Sequence, residues 1–193
     1  KIGKRVSIVG SRKASENGLR RAAKLSRLLA EEGIIILSGL AEGIDTVAHK
    51  SAIEAGSKTI AVLGNSVDQF FPVKNRELQE AIMRDHLVVS QFPSGYPSKR
   101  ENFPQRNRVM ALLSDATVII EAQDKSGSLH QGWEAIRLGR PLYILESSAN
   151  DSSLTWPTEL LKYGAEVLSD STFSELIGSL PEGSREERAQ VTI

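Results

Sequence analysis

The run Phe103-Pro104-Gln105-Arg106-Asn107-Arg108 sets two arginines around an asparagine, directly before the apolar stretch Val109-Met110-Ala111-Leu112-Leu113. Arginine presents a planar fork of donors that matches phosphate oxygens bidentately. Two such forks at the edge of a core segment suit a polyanion. The same pair could instead cap a helix or bridge surface carboxylates. Three glycine- and serine-rich turns, each following a β-like run, add further anion donors, and together the four segments suggest one polyanion site.

The first turn is Gly10-Ser11-Arg12, after Val6-Ser7-Ile8-Val9. Glycine lets backbone approach closely, serine supplies a hydroxyl and Arg12 a cation. It departs from the Gly-x-Gly-x-x-Gly fingerprint of dinucleotide-binding folds. The second is Ser38-Gly39-Leu40-Ala41-Glu42-Gly43-Ile44-Asp45, with two glycines four apart. It opens a helix on which Asp45 is expected as N-cap, so it is either a cradle of backbone N–H groups or an ordinary capped turn. The third, Ser126-Gly127-Ser128, could grip one more phosphate through its N–H groups and hydroxyls. Tyr96 is a base-stacking candidate in a mobile-looking loop, Ser94 to Ser98, and Lys99 and Arg100 after it could track a phosphate backbone. Trp133 and Trp156 are assigned to packing, and His49 to a packed or capping role.

These turns need a frame to hold them, and the apolar pattern supplies one. Strands are expected at Val6–Val9, Ile34–Leu37, Thr59–Leu63, Leu87–Ser90, Ala116–Ile120 and Pro141–Leu145. Helices are expected at about Gly18–Glu32, Asp45–Ala55, Glu77–Arg84, Arg106–Leu113 and Leu129–Leu138, which puts Arg106 and Arg108 at a helix edge outside the core. Short apolar strands alternating with helices mean an α/β, Rossmann-like doubly wound fold: a mostly parallel sheet with helices on both faces. In such a fold ligands bind beyond the carboxyl ends of the strands, where the three turns fall.

Composition removes several function classes. A chain of 193 residues, 40% apolar and 25% charged, fits one globular domain, expected over residues 1–180, with a mobile polar tail over 181–193. There is no cysteine, and His49, His86 and His130 show no ligand spacing, so neither a metal nor another cofactor is expected. No run approaches the roughly 20 apolar residues of a membrane span. No signal peptide is visible and the chain starts on Lys1, which reads as a truncated or processed start of a cytoplasmic protein. Net charge is zero, yet residues 1–30 carry nine basic side chains and one acidic, and residues 145–193 nine acidic and three basic. The chain either presents a cationic face or pairs its two ends.

The segments Ser38 to Asp45 with Ala48-His49, Thr59 to Gly64, Phe103 to Arg108 and Ser126 to Leu129 resemble, in order and spacing, the signature of the DNA-processing protein A (DprA/Smf) family. The resemblance runs from about Val6 to Gly139. It implies a Rossmann-like domain that binds single-stranded DNA, protects incoming DNA during uptake or recombination and helps load RecA recombinase, with no catalytic residue. Carried over, Gly10, Ser11, Arg12, Gly39, Gly43, Arg106, Asn107 and Arg108 fall on the cationic pocket that takes DNA phosphates. The turn readings add Ser38, Lys99, Ser126, Gly127 and Ser128. Many members carry accessory helical and winged-helix domains, which are not expected within these 193 residues. Rossmann-like domains often pair, so a homodimer is allowed.

A second, more distant resemblance is to the LOG-type, lysine-decarboxylase-like nucleotide hydrolases. It implies a phosphoribohydrolase in which Arg106 and Glu134 act on a nucleoside monophosphate, with Glu134 seven residues after Gly127. Otherwise Glu134 is a solvent-facing helix residue. A domain that senses a small nucleotide is the remaining alternative.

Overall fold

The computed structural model describes residues 3–181. Its frame is one seven-stranded sheet, β1 Arg5–Val9, β2 Ile35–Ser38, β3 Thr59–Leu63, β4 Leu87–Ser90, β5 Ala116–Ile119, β6 Leu142–Leu145 and β7 Glu166–Leu168. The strands lie in the order β4-β3-β2-β1-β5-β6-β7, and every pair is parallel. Residues 3–181 thus have the expected α/β, Rossmann-like architecture.

Parallel strands need both faces covered, and the β-branched runs supply apolar residues to each. On one face Val6, Ile8, Ile36, Ala116 and Val118 form a core with helices α1 Glu16–Glu31 and α2 Ile44–Glu54. On the other, Val9, Leu37, Val62, Ile119 and Ile144 pack with α4 Asn102–Leu113, α5 Gly127–Arg137 and α7 Trp156–Lys162. Helix α3 Arg76–Asp85 covers β3 through Leu78 and Ile82, the short α6 Glu146–Ala149 follows β6, and α8 Phe173–Ser179 joins the α1 side through Leu176. The order in which strands are added to the sheet reverses between β1 and β5, which are parallel neighbours, and the loops after β1, β2, β3 and β5 gather at the carboxyl edge of the sheet.

Several sequence expectations are corrected. The fourth helix starts at Asn102, not Arg106. Pro104 sits in the first turn, where no intrahelical N–H is required. Asp45 is not the N-cap of α2. Gly43 is, with φ +78°, and Asp45 lies in the first turn. The apolar pattern marks no element after residue 145, yet that segment holds α6, α7, β7 and α8. The loop around Tyr96 is tethered: Ser94 and Gly95 donate to Asp68 at 2.6 and 3.1 Å, and Gln69 donates to the Tyr96 carbonyl at 3.1 Å. The Ser66 and Ser94 hydroxyls, with the amides of Asp68 and Gly95, hold the Asp68 carboxyl down at about 2. The tail expected over 181–193 lies, beyond Pro181, outside the described residues.

Candidate nucleic-acid interface

Four segments converge beyond the strand ends. Arg12 and Lys13 come from the loop after β1, Gly39, Ala41 and Glu42 from the loop after β2, Phe71 and Pro72 from the connection between β3 and α3, and Phe103 and Arg106 from the start of α4. Together they line a cleft of about 230 Å³. The Arg12 guanidinium stands 5.8 Å from the Phe103 ring centroid and that of Arg106 5.9 Å, and the Phe71 and Phe103 rings are 5.5 Å apart. Phe71 is 47% exposed, so about half of its side chain is open to solvent at the cleft. A Cβ on Gly64 would come within 2.6 Å of the Phe103 ring, so Gly64 gives that ring its seat.

Arg106 is not at a solvent-facing helix edge: it is only 6% exposed. Its Nη1 donates to the carbonyls of Gly39 at 2.6 Å and Val62 at 2.8 Å, and its Nε to Asn107 Oδ1 at 2.9 Å. Burial lowers its pKa, against the opposing charge of Asp45. Burial likewise raises the Asp45 carboxyl, against the Arg106 charge and the amides of Ala41 and Gly39. Asp45 thus acts on Arg106 through space beneath the cleft, without a direct ion-pair contact. The loop fits around the two because two residues lack side chains. A Cβ on Gly39 would strike the Arg106 guanidinium, and one on Gly43 would meet the Arg12 carbonyl at 2.7 Å.

Most of the hydrogen-bonding groups proposed for anion binding are engaged inside the protein. Asp45 Oδ2 accepts from the amides of Gly39 at 3.1 Å and Ala41 at 3.3 Å. The Ser38 hydroxyl donates to the Ile8 carbonyl at 2.6 Å. Gly10 packs against Ile44, and the Ser11 amide donates to the Glu121 carbonyl at 2.7 Å. Ser126 is the N-cap of α5, with its hydroxyl 2.7 Å from that of Ser128, and the Gly127 carbonyl accepts from Asn107 Nδ2 at 3.1 Å. Asn107 therefore braces α4 against α5.

Arg108 and Lys99 are exposed but do not line the cleft. Neither does Glu134, which lies well inside α5, 14% exposed, with Arg137 donating to it at 2.6 Å. It is more covered than a solvent-facing residue, and it does not share the cleft with Arg106. Trp156 is buried, with its indole N–H donating to the Ala122 carbonyl, and Trp133 packs edge-on against Tyr163, so both tryptophans are packing residues. Lys13 and Phe71 carried no weight in the sequence reading. Their signals were adjacency to Arg12 and the paired aromatics Phe70-Phe71.

Residues 1–178 match the family model of DNA recombination-mediator protein A. Protein Smf of Synechocystis is 39% identical over 177 residues, which is 91% of this chain and 44% of the relative. The solved DprA of Streptococcus pneumoniae superposes with a TM-score of 0.84 at 35% identity, covering 93% of this chain and 62% of the other. The DNA processing protein A of Helicobacter pylori, solved for its single-stranded DNA binding mode, gives a TM-score of 0.80 at 28% identity, covering 92% and 82%. The chain spans about half the length of the curated relatives it matches. By the family model and by these relatives, the chain belongs to the DNA recombination-mediator protein A family, the DprA/Smf proteins.

Proposed function

We propose that this domain binds single-stranded DNA in the cleft between the loops after β1 and β2 and the start of α4. Arg12 and Lys13 contact phosphates at the rim, Arg106 forms a cationic floor, and Phe71 and Phe103 stack on unpaired bases. The carrying observation is that cations and two aromatic rings open on one cleft, with Phe71 about half exposed. Aromatic platforms take any base with a free face, and a duplex offers none within its stack. Gly10, Ser11, Gly39 and Gly43 shape the loops, and Asn107, Ser126, Gly127 and Ser128 hold α4 and α5 in place behind the cleft. Arg108 and Lys99 serve as outlying contacts for a longer strand. The single-stranded DNA binding of the Helicobacter pylori relative supports the reading.

On the same reading the domain acts in the cytoplasm during DNA uptake or recombination, passes the strand to RecA and works as a homodimer. Fluorescence anisotropy of an oligothymidine against a blunt duplex, at rising salt, tests the binding. Three phosphate contacts give a log–log slope of about 2, at roughly 0.7 per phosphate of a single strand. A flat response, or equal affinity for the duplex, removes the proposal. RecA loading onto the bound strand and sedimentation of the free protein test the partners.

A further inference from the structure

The loop that a Rossmann-like fold holds open for a ligand phosphate, after the first strand and before the first helix, is closed here by the chain itself. Glu121 stands just beyond β5, next to β1 in the sheet. Its Oε1 accepts from the Ser15 amide at 2.8 Å and its Oε2 from the Ser15 hydroxyl at 2.6 Å. The Ser15 hydroxyl oxygen in turn accepts from the Gly18 amide at 2.9 Å, capping α1. The Glu121 carbonyl takes the Ser11 amide at 2.7 Å. One residue thus satisfies both ends of the Ser11–Ser15 loop. A Cβ at Gly18 would strike the Glu121 carboxylate, so the glycine makes the room that carboxylate occupies. Asp45 fills the second loop in the same way, through Gly39 and Ala41.

We infer that Glu121 is a specificity-determining residue: its carboxylate occupies the phosphate hole of the fold, so the protein refuses phosphate monoesters there. An incoming dianion would have to displace a bound carboxylate and then sit beside it. What remains open is the side-chain cleft with Arg12, Lys13, Phe71 and Phe103. That cleft suits the singly charged phosphodiesters and bases of a strand interior. Free nucleotides and phosphorylated strand ends gain nothing from it over an internal segment. This preference for strand interior rests on the single-strand reading, whereas the filling of the hole by Glu121 does not.

The test uses inorganic phosphate and thymidine monophosphate as probes, followed by the amide resonances of Ser15 and Gly18. Those resonances stay still in wild type. In Glu121→Ala they shift and saturate, at an affinity at least about tenfold above wild type, and Glu121→Gln falls between the two. A second arm compares an oligothymidine with and without a 5′-phosphate on wild type, where equal affinities are expected. Saturating shifts in wild type, no gain in folded variants, or about a tenfold preference for the phosphorylated end would each overturn the inference. Should Glu121→Ala not fold, the Gln variant and the wild-type titration decide. If wild type binds neither oligothymidine, the single-strand reading falls while the phosphate titration still judges Glu121.

Discussion

Arg106 donates to the Gly39 carbonyl at 2.6 Å, tying α4 to the loop after β2 across the floor of the cleft. The bond is structural before it is functional. Arg106→Met would strip the carbonyls of Gly39 and Val62 of a charged donor and leave Asp45 buried without its cation. A buried polar group left without its hydrogen-bond partner costs about 1–3 kcal/mol. Urea unfolding should show a loss of that size, while Arg108→Met, at an exposed position, stays within about 0.5 kcal/mol of wild type. Equal stability of the two variants would mean that Arg106 does not hold the floor.

Arg12 and Lys13 are the exposed cations of the cleft. Replacing both with alanine should leave the unfolding midpoint near that of wild type and weaken oligothymidine binding. The salt dependence is the sharper readout. Loss of two phosphate contacts lowers the log–log slope by about 1.4. An unchanged slope would place the phosphates elsewhere on the molecule.

Phe71 separates stacking from charge. It is exposed, so Phe71→Ala perturbs the fold little, whereas Phe103 is seated against Gly64 and its removal also disturbs packing. A base stacked on an aromatic ring is worth about 1–3 kcal/mol by alanine substitution. Phe71→Ala should weaken binding by that amount at every salt concentration, leaving the slope intact, and Phe71→Trp should retain affinity. Wild-type affinity in the alanine variant would reduce the cleft to a purely ionic site.

The central sheet was legible because its strands, buried on both faces, are continuous apolar runs such as Thr59–Leu63. The final elements were not, because β7 has three residues and α7 and α8 seven each, too short for a periodicity to register. Arg12, Gly39 and Arg106 were readable by type and position. Their division of labour was not: burial of Arg106 depends on carbonyls 67 and 44 residues away in the chain. Phe71 was missed because the exposure of one ring of the Phe70-Phe71 pair cannot be read from the sequence. Glu121 was missed because its partner, Ser15, is 106 residues distant, and a glutamate at a strand end reads as a solvated carboxylate.

His49 sets a pH limit on stability. It lies fully buried on α2, with Nδ1 2.7 Å from Thr59 Oγ1. Thr59 gives its own hydrogen to the Ile36 carbonyl at 2.8 Å, so His49 Nδ1 carries the proton and donates, and its buried Nε2 has no partner among the described residues. Burial is the main cause that pushes its pKa down to about 3. In the unfolded chain the value returns to about 6.5. Between these limits the unfolded state binds a proton that the folded state refuses. Stability therefore falls as pH drops below about 6.5, by up to about 1.4 kcal/mol per pH unit, until the folded pKa is reached. His49→Gln keeps a donor for Thr59 and cannot titrate. Urea unfolding at about pH 7 and about pH 5 should show a drop in wild type that exceeds the drop in the variant by about 2 kcal/mol. Identical drops would mean that His49 takes up its proton without unfolding, and that the pocket between α2 and β3 admits a charge.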